Sequence, residues 1–122
     1  KKQPTASVVL ISSVAASQGM PFHSSIASAK AALEGLARSL AAELAPKIRV
    51  NVIAPSLVKS ALSASLLSTE QRVTNSTNRH PLKSIGEPED IAQMAAYLLT
   101  DTGRWITGQT FAVDGGMSTV KG

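Results

Sequence analysis

Short apolar runs alternate with long stretches of helical period along this chain of 122 residues. SVVLISS, Ser7 to Ser13, sets aliphatic and β-branched residues side by side, the pattern of a strand covered on both faces. Val14 to Phe22 contains Gly19 and Pro21 and reads as a connecting loop. From Ser24 or Ser25 to Leu44 the period changes. Leu33, Leu36, Leu40 and Leu44 recur every three or four residues, which predicts a helix with one apolar stripe. Ala31, Ala32, Gly35, Ala41 and Ala42 keep its other faces small, and Pro46 stops it.

IRVNVIA, Ile48 to Ala54, alternates Ile48, Val50 and Val52 with Arg49 and Asn51 and ends at Pro55, predicting a second strand. A strand, a helix and a strand at this spacing form a βαβ unit, whose parallel strands need such a crossover. Ser56 to His80 is polar and serine-rich. It reads as a mobile covering loop with a short helix entered at Ser68, whose capping partner is Gln71. GEPEDIAQMAAYLLT then opens a helix with Pro88 in the first turn and Glu87, Glu89 and Asp90 at the positive end of its dipole. Ile91, Met94, Ala95, Leu98 and Leu99 form its expected buried stripe. Thr110 to Val113, between glycines, is the last strand.

Three strands served by only two strong helices leave much of a sheet uncovered. The chain is therefore expected to be part of a larger α/β domain. Because it begins almost directly on a buried strand, the remainder is expected on the N-terminal side.

Composition narrows the function. Hydrophobic residues make up 43% and charged residues 16%, an ordinary globular balance. No apolar run approaches the roughly 20 residues of a bilayer span, and the N-terminal apolar core is too short for a secretory signal. A cytoplasmic protein without membrane contact is expected. The absence of cysteine excludes a disulfide framework and thiolate metal ligands. The net charge of +4 raises nucleic acid as a partner. However, the basic residues are scattered, with no run longer than Lys1-Lys2, and aromatics are 3%. No nucleic-acid partner is expected.

Five segments point to more specific chemistry. LISSVAA, AKAALEGLARSLAAELA, IRVNVIAPSLV, PLKSIGEPEDIA and WITGQTFAVDGG, in this order and spacing, resemble the C-terminal half of the short-chain dehydrogenase/reductase family from about Ser7 to Met117. The resemblance implies an α/β, Rossmann-type doubly wound parallel sheet in three layers, with residues 1–122 as the C-terminal part of one NAD(P)-binding domain. It implies an oxidoreductase moving a hydride between NAD or NADP and a small carbonyl or alcohol substrate. It also places the glycine-rich phosphate turn, the residue choosing NAD or NADP and a catalytic asparagine upstream. The family's catalytic serine carries over to Ser13 and its lysine to Lys30.

The family's tyrosine position is Ile26, thirteen residues after Ser13 and four before Lys30. In the family the lysine holds the ribose hydroxyls and tunes the tyrosine, while the serine orients the substrate oxygen. Isoleucine donates no proton. His23, three residues before 26 and close to the helix start, is the candidate replacement, with Ser24, Ser25 or water as others. A nucleotide-binding relative without useful turnover, acting as a sensor or structural subunit, is the alternative.

After the second strand the family has Pro-Gly and then a threonine that hold the nicotinamide amide. The matching positions are Pro55, Val58 and Ser60, with Ser56 standing in place of glycine. Ser60 also reads as a helix cap for 61–67. Asp114 with Gly115 and Gly116 suits a turn, His80 reads as a loop residue, and no metal site is expected. A Ser13–His23–Asp114 triad lacks the Gly-x-Ser-x-Gly elbow. Substrate choice is expected to depend on residues 58–80. The small residues of the first helix, with the family's habit of dimerising there, imply a homodimer or homotetramer.

Overall fold

A computed structural model describes residues 6–121; Lys1 and Lys2 lie outside them. The chain runs β1 (Ala6–Ile11), α1 (Ser24–Leu44), β2 (Ile48–Pro55), α2 (Glu70–Arg79), α3 (Pro88–Leu99) and β3 (Thr110–Val113), with 3-10 turns at Val14–Ala16, Ala64–Leu67 and Asp101–Gly103. The strands form one parallel sheet in the order β1-β2-β3. Ala6 pairs with Ile48 and Ile11 with Ile53; Val52 pairs with Thr110 and Pro55 with Val113.

β2 is the central strand, and its two faces are used differently. Val50 and Val52 pack under Ala37 and Ala41 of α1, with Leu10, Leu40, Leu44 and Ile48 around them. Alternate residues point to the opposite face, where Arg49 and Asn51 are also buried. The Arg49 guanidinium donates to the Thr100 and Ile106 carbonyls at 3.2 Å each. Asn51 donates to the Ile106 carbonyl at 3.0 Å and accepts from Gln109 N at 3.1 Å. On this face the Ser7 hydroxyl bonds the Leu98 carbonyl, which seats α3 opposite α1. The result is a three-layer α/β/α arrangement. Buried polar groups need partners, and these two side chains satisfy the backbone that leads into β3.

Several expectations are corrected. The buried residues of α1 are Ala37 and Ala41, while Leu36 is exposed. Small side chains let the helix backbone approach the sheet, so alanines form the contact line and leucines flank it. Leu98 is fully buried, but Leu99, expected beside it, faces solvent. β1 ends at Ile11 and alternates in exposure, with Val8 and Ile11 open, because it pairs with β2 alone among the described residues.

The expected mobile loop from Ser56 to His80 holds a ten-residue helix, α2. Its cap is Thr69, whose side chain accepts from Arg72 N at 3.2 Å, and the expected Ser68–Gln71 box is absent. The cap shifts one residue because Ser68 closes the preceding 3-10 turn. α3 begins as expected at Pro88, with Glu87 as cap and the Asp90 carboxylate accepting from Glu87 N at 2.7 Å.

Candidate active site

Ser13 lies two residues beyond the end of β1, where the chain leaves the sheet. Its hydroxyl oxygen accepts from Ala15 N at 3.1 Å and starts the Val14–Ala16 turn. The hydroxyl hydrogen thereby stays available for a group outside the protein. The neighbouring Ser12 points inward and bonds the Glu34 carboxylate and the Lys30 carbonyl. This staples the middle of α1 to the end of β1 and sets the position of Lys30. The Lys30 ammonium donates to the Ile11 carbonyl at 3.0 Å. Its two other N–H bonds have no acceptor among the described residues.

Ser13 lines a cavity of about 570 Å³. His23, the residue before α1, lines it too, as do Ser56 after β2 and Arg72, Ser76 and Arg79 of α2. His23 Nδ1 lies 2.7 Å from the Pro21 carbonyl. A carbonyl only accepts, so Nδ1 carries the hydrogen and Nε2 is the nitrogen left for a ligand. Ser13 and His23 thus lie on the lining of one cavity. Ile26 and Lys30 are outside its wall, and Ile26 is 44% exposed.

The residues after β2 take a separate course. Pro55 is the last residue of β2. Val58 makes a parallel bridge with Gly86, closed by Lys59 N to Gly86 O at 2.9 Å and Gly86 N to Leu57 O at 3.1 Å. Val58 faces a second cavity of about 290 Å³. Ser60 caps no helix: its backbone N–H and its hydroxyl bond the Ser63 hydroxyl, which also bonds the Val58 carbonyl at 2.6 Å. Ser63 itself precedes the Ala64–Leu67 turn.

His80 corrects the sequence reading most. It is 2% exposed, not a solvated loop residue. Its Nδ1 lies 2.7 Å from the Ser76 carbonyl and its Nε2 2.8 Å from the Ser56 hydroxyl. By the same acceptor logic Nδ1 donates, and in the neutral ring Nε2 accepts from Ser56. The imidazole thus ties the end of α2 to the segment after β2.

Asp114 makes no triad with Ser13. Its carboxylate accepts from Gly116 N and Ser118 N at 2.9 Å and from the Ser118 hydroxyl at 2.6 Å. Gly115 and Gly116 both take positive φ, as the turn requires. Partial burial pushes the carboxyl up. The Ser118 side-chain bond, the Ser118 and Gly116 backbone bonds and the His80 charge outweigh it and leave the group below the ordinary carboxylate range.

A parallel sheet with helices packed on both faces defines the doubly wound α/β class of fold. Residues 1–118 match the family described as enoyl-(acyl carrier protein) reductase, and the chain belongs to the short-chain dehydrogenase/reductase family. It is 38% identical over 117 residues to human dehydrogenase/reductase SDR family member 4, covering 95% of this chain and 42% of that protein. It is 35% identical over 117 residues to the 3-oxoacyl-(acyl-carrier-protein) reductase of Thermotoga maritima, covering 95% and 47%. A short-chain type dehydrogenase/reductase from Mycobacterium ulcerans superimposes with TM-score 0.87 at 36% identity, covering 95% and 42%. A 4-hydroxyisoleucine dehydrogenase complexed with NADH superimposes with TM-score 0.90 at 31% identity, covering 96% and 49%. The chain spans about half the length of these relatives.

Proposed function

We propose that this chain is the C-terminal half of an NAD(P)-dependent oxidoreductase that interconverts a small carbonyl compound and its alcohol. The observation that carries the reading is one cavity lined by both Ser13 and His23 at the carboxyl end of the sheet. Open sheets of this kind bind ligands at that end. The bare edge of β1, with Val8 and Ile11 exposed, supports a preceding half that would bring the glycine-rich phosphate turn. Activity in the cytoplasm and assembly as a homodimer or homotetramer belong to the same proposal. The exposed Leu36 on α1 supports the assembly.

The donor set fits a dinucleotide. Lys30 offers two N–H bonds to a ribose diol after its bond to Ile11, and the nicotinamide amide would be held beyond the end of β2 at Pro55, by the Val58 backbone and by the Ser60 hydroxyl in exchange for its bonds to Ser63. The bound dinucleotide supplies or takes up the hydride. Ser13 donates its hydroxyl hydrogen to the substrate oxygen, which fixes the carbonyl and stabilises negative charge developing there. His23, as the imidazolium with hydrogens on both nitrogens, gives its Nε2 proton to that oxygen in reduction, and the resulting neutral ring takes the proton back at Nε2 in oxidation. Its Nδ1 bond to Pro21 keeps the ring turned with Nε2 free for this role.

Binding without turnover is the second reading, and the observation favouring it is Ile26, which carries no proton and lies off the cavity wall. Purified protein carrying this sequence would be titrated with NADH and NADPH and then offered a panel of ketones and aldehydes. Dinucleotide consumption that falls about 100-fold in Ser13→Ala, with a further loss in His23→Ala, is the expected result. Nucleotide binding with no consumption would favour the second reading. Lys30→Ala should weaken dinucleotide binding about tenfold under either, from lost hydrogen bonds.

A further inference from the structure

We propose that the substrate carries an anionic group, a carboxylate or a phosphate, held in the Ser13 cavity by Arg72 and Arg79. This rests on the oxidoreductase reading above and adds the class of substrate to it.

The two arginines stand seven residues apart on α2, which is close to two turns, so they share a face about 10 Å apart along the axis. That face forms one wall of the cavity, with Ser13 and His23 also on its lining. None of the cavity-lining residues is acidic. Neither guanidinium has a carboxylate partner; the one ion pair among the described residues is Lys59 with Glu87. Arg72 spends Nη1 on the Ser65 carbonyl at 2.8 Å and the Ser68 hydroxyl at 3.2 Å. Arg79 has only the Ser76 hydroxyl, from Nη2 at 3.5 Å. Each keeps further N–H donors in the planar arrangement that matches a carboxylate or phosphate.

Helix stability does not explain the pair. Arg79, in the last turn of α2, complements the helix dipole, but Arg72 sits in the first turn, where a cation opposes it. His80 sets the face in place. Its bonds to Ser76 and Ser56 hold the last turn of α2 against the segment after β2 and aim the residue before it, Arg79, over the cavity. The volume suits a small organic acid or phosphate ester.

The test uses matched substrates on the full protein: acetoacetate against its methyl ester, and dihydroxyacetone phosphate against dihydroxyacetone. The anionic member of at least one pair should show the higher kcat/KM, and which pair responds separates carboxylate from phosphate. Arg72→Gln and Arg79→Gln should each raise KM for that anion about 10- to 100-fold. KM for its neutral partner and the affinity for NAD(P)H should not change. Equal use of both members of both pairs would overturn the proposal. So would variants that weaken the neutral substrate or the dinucleotide as much as the anion. If no carbonyl is reduced, calorimetry with succinate and with inorganic phosphate still decides. Binding that is lost in both variants and weakens with salt sustains the anion site while the oxidoreductase reading fails; no binding of either ion overturns the site.

Discussion

Replacing His80 by alanine removes the tie between α2 and the segment after β2. The ring is 2% exposed and makes two hydrogen bonds, at 2.7 and 2.8 Å. Each bond contributes about 0.5–1.5 kcal/mol net, and the vacated volume adds a cavity term. Together these predict a loss of about 2–4 kcal/mol, read as a shift in the urea midpoint at unchanged slope. The double variant with Ser56→Ala isolates one bond. Ser56 loses its partner in either single variant, so the two losses should fall short of adding by about 0.5–1.5 kcal/mol. A second comparison separates the two nitrogens. Asparagine places its amide near Nδ1 and keeps the bond to Ser76 while losing that to Ser56; glutamine does the reverse. Losses from His80→Ala below about 0.5 kcal/mol, or strict additivity with Ser56→Ala, would refute the reasoning, because the ring would then be a passive filler.

Three other perturbations follow from packing and charge. Gly103→Ala should destabilise the protein by about 2 kcal/mol or more in chemical denaturation, because a Cβ there would lie 2.7 Å from the Tyr97 carbonyl and 3.0 Å from the Leu98 Cα, both backbone atoms. Asn51→Ala leaves Gln109 N without its acceptor and the Ile106 carbonyl with the Arg49 bond alone, and should cost about 1–3 kcal/mol, with amide exchange accelerated in β3 before α1. Asp114→Asn tests the turn after β3. The folded carboxyl titrates below its unfolded value, so its stabilisation is complete above pH of about 4 and fades as pH falls through the folded pKa. The stability gap between wild type and Asp114→Asn should therefore be widest near neutrality and narrow in acid; a gap that widens on acidification would contradict the assignment.

The local elements were legible because each rests on a local cause. Thr110 to Val113 is bounded by glycines and appears as a strand unchanged, and Pro88 with its acids starts α3 where the dipole favours it. α1 runs from Ser24 to Leu44 as its period and Pro46 require. Ser13 entered through the family resemblance and His23 through its distance from the position of the family's tyrosine; both line one cavity. Arg72 and Arg79 went unremarked because their chain, Glu70 to Arg79, is almost wholly polar.

What the sequence by itself determined is the βαβ order and the small-residue surface of α1. These depend on neighbours within a few residues. Tertiary structure alone decided that Arg49 and Asn51 are buried, that His80 bonds Ser56 across 24 residues, and that two arginines of α2 line one cavity with Ser13. The physical reason is that polar burial is set by the acceptors the fold brings near. A carbonyl from Ile106 or a hydroxyl from Ser56 can satisfy a buried side chain, and neither is visible in the residues adjoining it.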